Sequence, residues 1–266
     1  RVAPRVIADS PADSAARIPR RAYESARDAL SDGPVLIQVA RRGYVPTLAC
    51  QQCRMLAACP ACGGPLALGS DAAVPTCRWC STRVVPWRCR SCGSDRLRAL
   101  AVGSGRTAEE LGRAFPGIPV ITSTADRSIA TMGPEPALVV ATTGTEPWAE
   151  GGYAAVVILD AGVQVSRVAL RAGEETARRW FTAAALARSG APVVITADAG
   201  HPIVQALIRW DPAWLASREL EERRELRLPP IVRSATIPGD PAVLEGVAAG
   251  LPSQACPPGP SHHPSR

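Results

Sequence analysis

Four Cys-x-x-Cys pairs between residues 50 and 92 restrict the fold of this chain more than any other feature of its sequence. They contain eight of its nine cysteines, as Cys50/Cys53, Cys59/Cys62, Cys77/Cys80 and Cys89/Cys92. Each pair places two thiolates on one tight turn, and two pairs that meet in space supply the four sulfurs of a tetrahedral structural zinc site. Disulfides are the alternative, but disulfide frameworks are typical of small secreted chains without a core. In a chain of 266 residues, 46% of them hydrophobic, the four pairs therefore predict two zinc ions.

The spacers between successive pairs hold five, fourteen and eight residues, and these lengths indicate how the pairs combine. Sequential pairing would join the first two pairs across only five residues, which is shorter than the usual spacer of a zinc ribbon. Nested pairing instead joins Cys59/Cys62 with Cys77/Cys80 across fourteen residues. It leaves Cys50/Cys53 with Cys89/Cys92 as an outer site. We favour the nested arrangement, because an outer site also brings together the two ends of the region, as an insertion in a sheet domain requires.

A four-cysteine site has no open coordination position, so we predict that both metals are structural and that neither activates a catalytic water. Any functional role then belongs to the surface of the region. Residues 41–98 carry nine arginines against two acids, an excess of seven positive charges compared with six for the whole chain. Two zinc–thiolate sites would cancel four of these charges, so several arginines could serve only to neutralise thiolates.

Cations and aromatic rings near the cysteines are suited to nucleic acid, because they bind phosphates and stack on bases. The predicted DNA contacts are Arg41, Arg42, Tyr44 and Arg83. Trp79 and Trp87 are further stacking candidates, with packing over the metal sites as the alternative for each.

All 30 basic residues of the chain are arginines, and this composition excludes one kind of site. A Walker A loop needs a lysine on the nucleotide phosphates, so no such loop can occur in this segment. The chain also lacks an apolar run of about eighteen residues, the minimum for a membrane-spanning helix, and a secretion signal. We therefore expect a cytoplasmic protein without a membrane partner. Because it begins with Arg1 and not with methionine, we expect the C-terminal portion of a longer protein.

Short apolar runs alternate with helical patterns outside the cysteine region. The runs are rich in β-branched residues without polar alternation, as in strands of a sheet covered on both faces. The predicted strands are residues 35–40, 97–102, 118–121, 137–142, 154–159 and 192–197. The predicted helices are residues 20–31, 107–115, 174–188, 201–210 and 213–226. Strands interleaved with helices predict an α/β fold with an open, mostly parallel sheet.

The pattern also predicts a division of the chain into four parts. Residues 1–49 and 93–227 form the main lobe, with residues 1–19 as a leading segment that shows no sustained period. Residues 50–92 are the two-zinc insertion. Residues 228–250 begin a C-terminal domain, in which residues 231–237 could open a strand. Residues 251–266, rich in Pro, Gly, Ser and His, form a predicted disordered tail.

Three blocks of residues carry a family resemblance through their order and spacing. The first block, residues 35–44, reads Val-Leu-Ile-Gln-Val-Ala-Arg-Arg-Gly-Tyr, and the four cysteine pairs are the second. The third block, residues 103–111, reads Gly-Ser-Gly-Arg-Thr-Ala-Glu-Glu-Leu and precedes Phe115-Pro116. Together they resemble the PriA family of replication-restart helicases, also called primosomal protein N′. The resemblance extends weakly to Arg-Leu-Pro-Pro at residues 227–230, and so covers residues 30 to 245.

The resemblance implies that the main lobe is the second RecA-like domain of a superfamily 2 helicase, with the zinc module inserted into it. It also implies the nested zinc pairing already favoured by the spacing. The expected partners are branched or single-stranded DNA at stalled forks, single-strand-binding protein and other primosome components.

Two blocks depart from the family pattern at its motor residues. The family has Gly-Thr-Gln-Met where this chain has Gly-Thr-Glu-Pro at residues 144–147. The family block that supplies an arginine finger is replaced by residues 183–190, in which Arg188 is the only arginine. Loss of such a finger typically costs about 10³- to 10⁵-fold in rate. We therefore predict a degenerate, actinobacterial-type member that binds DNA without helicase activity.

Two alternatives stay open at this point. The parent protein could be an active ATP-dependent 3′-to-5′ helicase, or the chain could be a zinc-ribbon module that binds a protein partner. ATP could still bind through backbone N–H groups of Gly103-Ser104-Gly105 at the start of a helix, although a plain strand-to-helix turn explains the same residues.

Overall fold

The computed structural model describes residues 3–9, 18–40, 48–68, 74–99, 104–165, 169–233 and 241–250. The chain divides into two compact units, Arg1–Ala216 and Ser217–Arg266. The strands are β1 (Arg5–Ala8), β2 (Val35–Val39), β3 (Leu48–Cys50), β4 (Leu66–Ala67), β5 (Thr76–Cys77), β6 (Leu97–Ala99), β7 (Val120–Ser123), β8 (Thr131–Met132), β9 (Leu138–Thr142), β10 (Trp148–Ala149), β11 (Ala155–Ile158) and β12 (Pro192–Ile195). The helices are α1 (Arg20–Ala29), α2 (Ser104–Ala114), α3 (Ala161–Val165), α4 (Ala172–Ala185), α5 (Pro202–Arg209), α6 (Pro212–Glu225) and α7 (Pro241–Ala249).

Six strands form a parallel sheet in the order β1-β12-β11-β2-β9-β7. In the centre of the sheet, Leu36 of β2 is in register with Val156 of β11 and Val139 of β9. Every residue of these three strands is buried. Burial on both faces explains why their sequences are continuously apolar. The predicted α/β fold with a mostly parallel sheet is confirmed.

Alternate residues of the sheet enter two different hydrophobic clusters, one on each face. Leu36 packs with Trp180 of α4 and Leu207 of α5. Ile37, the next residue of β2, packs on the other face with Leu111 of α2 and with α1. The main lobe is therefore a three-layer arrangement, with one set of helices on each side of the sheet.

The sheet differs from the sequence prediction in two places. The leading segment contains β1, a four-residue edge strand parallel to β12, and none of its residues is fully buried. The strand predicted at residues 97–102 does not belong to the main sheet. Its described part, β6, pairs antiparallel with β3. The rest of the predicted strand, residues 100–102, lies outside the described residues. Of the strand predicted at residues 231–237, residues 231–233 are described and form no strand, and residues 234–237 lie outside the described residues.

Unit Ser217–Arg266 contains the end of α6, a turn and α7. Arg223 is buried in it, where its Nη1 donates to the Pro229 carbonyl over 2.9 Å. This bond fixes the chain after α6. The sequence did not predict α7, and the predicted tail lies outside the described residues. Among the residues that the structure describes, every helix is too short or too polar to cross a membrane.

Candidate metal centre and its surface

The structure gathers the eight paired cysteines into two clusters. The sulfurs of Cys50, Cys53, Cys89 and Cys92 all lie within 4.8 Å of one another, and so do those of Cys59, Cys62, Cys77 and Cys80. The pairs thus combine in the nested order, the inner pairs together and the outer pairs together. We call these groups the outer cluster and the inner cluster.

Distances between the sulfurs suit a tetrahedral zinc ion. In the outer cluster, Cys50 Sγ lies 3.5 Å from Cys92 Sγ, and Cys53 Sγ lies 3.4 Å from Cys89 Sγ. In the inner cluster, three sulfur pairs are separated by 3.3 to 3.8 Å. A zinc–sulfur bond of about 2.3 Å gives a tetrahedron with sulfur–sulfur edges of about 3.8 Å. Both donor sets fit this metal in number, chemistry and spacing.

All four Cys-x-x-Cys turns have the same backbone geometry. The carbonyl of the first cysteine accepts a hydrogen bond from the residue four positions later, over 2.9 to 3.1 Å. The donors are Arg54, Gly63, Ser81 and Gly93. All four have left-handed backbones, with φ of 65°, 74°, 58° and 76°. Two of them are glycines, which adopt this conformation freely, whereas Arg54 and Ser81 adopt it at a cost of about 1 to 2 kcal/mol each.

Burial within the turns follows a regular pattern. The first cysteine of every pair is buried, while Cys62, Cys80 and Cys92 are exposed and Cys53 is half-buried. The buried cysteines enter a third hydrophobic cluster, which also contains Leu48, Ala57, Leu66, Val84 and Trp87. Each of the two cysteine clusters therefore has one side toward this hydrophobic core and the other side toward the surface.

The inner cluster holds two thiols with opposite pKa shifts. Hydrogen bonds from the hydroxyl and the backbone N–H of Thr82, with a smaller effect from Cys62, lower the pKa of Cys80 to about 6. The Gly64 N–H lowers the pKa of Cys62, but the sulfurs of Cys80 and Cys77 together with burial raise it to about 12. Four thiolates at these distances repel one another, so a divalent cation is needed for all of them to ionise.

The outer cluster has the same asymmetry. Burial raises the pKa of Cys50, but the N–H groups of Cys53 and Gln52 outweigh it and lower the pKa to about 6. The Ser94 N–H lowers the pKa of Cys92, but burial and the sulfurs of Cys53 and Cys50 raise it to about 12. Each cluster therefore offers one ready thiolate to an incoming cation.

The predicted DNA contacts divide between described and undescribed residues. Arg41, Arg42 and Tyr44 lie outside the described residues. Arg83 is exposed and forms a β-bridge with Thr76, next to Cys77 of the inner cluster. As a DNA contact, Arg83 remains a prediction.

The two tryptophans of the region differ in exposure. Trp87 is 7% exposed and packs in the core of the cysteine region. Trp79 is 61% exposed, although its ring lies so close to Gly64 that a Cβ there would be 2.8 Å from two of its atoms. Of these two rings, only that of Trp79 is exposed to solvent, and it lies in a turn of the inner cluster. Arg83, which is also exposed, follows the same turn in the sequence.

Arg188 does not project from the lobe as a free cation. Its Nη1 donates to the Asp32 carbonyl over 2.6 Å, and its Nε donates to the Gly152 carbonyl over 3.0 Å. Asp32 precedes β2 and Gly152 precedes β11, so the guanidinium holds together two loops at the amino end of the sheet.

In the segment that replaces Gly-Thr-Gln-Met, the Glu146 carboxylate accepts hydrogen bonds from within the segment and from strand β2. The Gly144 N–H donates to both carboxylate oxygens of Glu146 over 3.0 Å, and Gln38 Nε2 donates to the same side chain over 2.6 Å. No local sequence pattern predicts the contact between Gln38 and Glu146, because the two residues are 108 positions apart.

Ser104 and Gly105 line a cavity of about 370 Å³ at the carboxyl ends of β7 and β9. Its lining also includes Thr122, Thr124, Asp126 and Thr142. An acidic residue in the lining disfavours a phosphate, so this geometry adds no support for ATP at that turn.

The fold and the clusters define an α/β protein with a cysteine module that can hold two metal ions. No protein-family model matches the chain. It is 49% identical to the probable replication restart protein PriA of Mycobacterium leprae over 270 residues, which are 95% of this chain and 41% of that protein. It is 50% identical to the protein of the same name from Mycobacterium tuberculosis over 254 residues, or 92% of this chain and 38% of that protein.

A more distant relative is the replication restart protein PriA of Haemophilus influenzae, 27% identical over 76% of this chain and 30% of that protein. The chain belongs to the PriA family, as its three sequence blocks predicted. It spans about two fifths of the length of its mycobacterial relatives.

Proposed function

We propose that the chain is the zinc-holding part of a replication-restart protein that binds branched or single-stranded DNA and has no helicase activity. The observation that carries this proposal is the pair of four-sulfur clusters within a chain related to proteins named for replication restart. Single-strand-binding protein and other primosome components are proposed partners, by analogy with the family. Within this proposal, the main lobe is a RecA-like helicase domain and residues 50–92 are its two-zinc insertion.

The eight clustered cysteines would hold one zinc ion in each cluster. Bound zinc supplies only structure here, because four thiolates fill its coordination sphere. The chain's own residues do the rest. They bury the first cysteine of each turn in a common core and leave the exposed side of the inner cluster free for a partner.

The contacts of Arg188 support the absence of motor activity. An arginine finger must reach the transferred phosphoryl group, where its charge stabilises the negative charge of the transition state. Arg188 instead donates to two backbone carbonyls of its own lobe. As the only arginine of the block that replaces the family's finger, it is a structural residue.

Trp79 and Arg83 form the proposed DNA face in the described part of the module. An exposed ring offers a stacking surface to any base, and an exposed arginine can neutralise a phosphate. Both side chains belong to the inner cluster's turn and the strand segment after it, so bound zinc would fix their positions.

Binding of labelled single-stranded DNA to the chain at several salt concentrations tests this face. Arg83→Ala should reduce the slope of log affinity against log salt by about one unit. Trp79→Ala should weaken binding by about 1 to 3 kcal/mol with little change of slope. The matched control is Arg113→Ala on α2, whose side chain is 78% exposed. If both variants bind like the control, the face is misplaced and a protein-binding role for the module gains support.

A further inference from the structure

Arg90 connects the two cysteine clusters. It lies between Cys89 and Cys92 in a turn of the outer cluster. Its Nη2 donates to the carbonyl of Cys59, an inner-cluster cysteine, over 3.3 Å and to that of Pro60 over 2.9 Å. A charged donor that binds carbonyls of a neighbouring turn restricts both turns at once.

The clusters also share a core. Cys50 and Cys89 of the outer cluster and Cys59 and Cys77 of the inner cluster belong to one hydrophobic cluster. In a core of this size, loss of order around one pair of cysteines removes packing partners from the other pair.

Backbone hydrogen bonds give a third connection. The Ala57 N–H donates to Leu48, two residues before Cys50, and the Leu66 N–H donates to Ala57, both over 2.9 Å. Leu66 in turn is in register with Cys77. A continuous ladder therefore runs from an outer-cluster strand to an inner-cluster strand.

We infer that the two metal sites are thermodynamically coupled and that Arg90 is the positioning residue that links them. A metal bound in one cluster orders its turns, and Arg90 and the common core pass that order to the other cluster. The second ion then binds more tightly than the first, because part of the cost of ordering has already been met. This inference rests on the proposal that the clusters bind metal, but it goes beyond it, since two independent sites would fit that proposal equally well.

The coupling can be measured by native mass spectrometry of the whole chain. The metal-free, reduced chain receives about one equivalent of Zn²⁺, and molecules with zero, one and two ions are counted. Two equal and independent sites would leave about half of the molecules with one ion. The wild-type chain should instead contain mainly molecules with zero or two ions.

Arg90→Ala should raise the one-ion species toward half of the molecules and weaken binding of the second ion by about tenfold or more. Arg88→Ala is the matched control, since Arg88 is an exposed arginine two positions away, and it should behave like the wild type. Arg90→Lys should restore the coupling only in part, because lysine keeps the charge but its nitrogen ends one bond short of the Nη2 that makes both contacts.

Equal distributions for Arg90→Ala and Arg88→Ala, or about half one-ion species in the wild type, would overturn the inference. If Arg90→Ala does not fold, Cys92→Ser decides the question. It damages only the outer cluster, and coupling requires that the inner cluster then bind its ion about tenfold more weakly. Unchanged inner-cluster affinity would contradict coupling. A chain that binds no metal at all would remove the proposed sites as well.

Discussion

At the scale of single residues, the contacts of Arg188 favour a structural role over a catalytic one. The sequence left it as the only arginine in the block that replaces the family's finger. The structure adds what the sequence could not, namely its bonds to the carbonyls of Asp32 and Gly152, which are far away along the chain.

Replacing Arg188 should therefore affect stability. Arg188→Ala removes a charged donor from two carbonyls, and we expect a loss of about 1.5 to 3 kcal/mol in the free energy of unfolding. Urea denaturation measures this loss. Arg113→Ala, at a highly exposed position on α2, should change it by about 0.5 kcal/mol or less. An Arg188→Ala chain as stable as the wild type would contradict the structural role.

The same scale shows why the cysteines could be predicted when other residues could not. A Cys-x-x-Cys turn is local, so its spacing predicts its geometry, and the glycines at Gly63 and Gly93 are a further local signal of the left-handed position. Arg54 and Ser81 adopt that position without such a signal. The contact between Gln38 and Glu146 depends on the pairing of distant strands, which no local pattern contains.

At the scale of elements, the strands that the sequence predicted best are those buried on both faces. The predicted ranges contain all of β2, β9, β11 and β12. A short continuous apolar run rich in β-branched residues is typical of a buried strand, so the sequence alone indicates it. The edge strand β1 was missed because its residues are only exposed or half-buried, so its sequence lacks the longer apolar run of the buried strands. β6 was given to the wrong sheet because apolarity alone does not reveal a strand's partner.

Helix α5 gives a prediction about pH. His201 is its N-cap, and the Nδ1 of His201 accepts a hydrogen bond from the Ile203 N–H over 3.3 Å. Burial lowers the pKa of His201 below its usual 6.5, against the opposing charge of Asp198. The folded chain thus disfavours the protonated ring. Stability is therefore fully present above pH 6.5 and is lost as the pH falls from there toward the lower folded pKa.

His201→Asn keeps a capping acceptor but cannot titrate. Its free energy of unfolding should lose the part of the pH dependence that the His201 ring contributes below pH 6.5. Chemical denaturation at several pH values provides the comparison. The same slope in both chains would show that His201 does not cause the dependence.

At the scale of the molecule, the cysteine module has its own hydrophobic core, separate from the two cores of the parallel sheet. The sheet cores contain large apolar side chains from many elements, whereas the core of the module is small and four of its members are cysteines. A core of this kind needs additional links, and bound metal ions are the links that its sulfurs offer. The ends of the module meet where β3 pairs with β6.

The metal content and metal coordination of the purified 266-residue chain test the two four-cysteine sites. Elemental analysis should find two zinc ions per chain, one for each cluster. X-ray absorption should find sulfur alone around zinc, at about 2.3 Å. One zinc ion per chain, or nitrogen or oxygen among the ligands, would contradict the nested pair of four-cysteine sites.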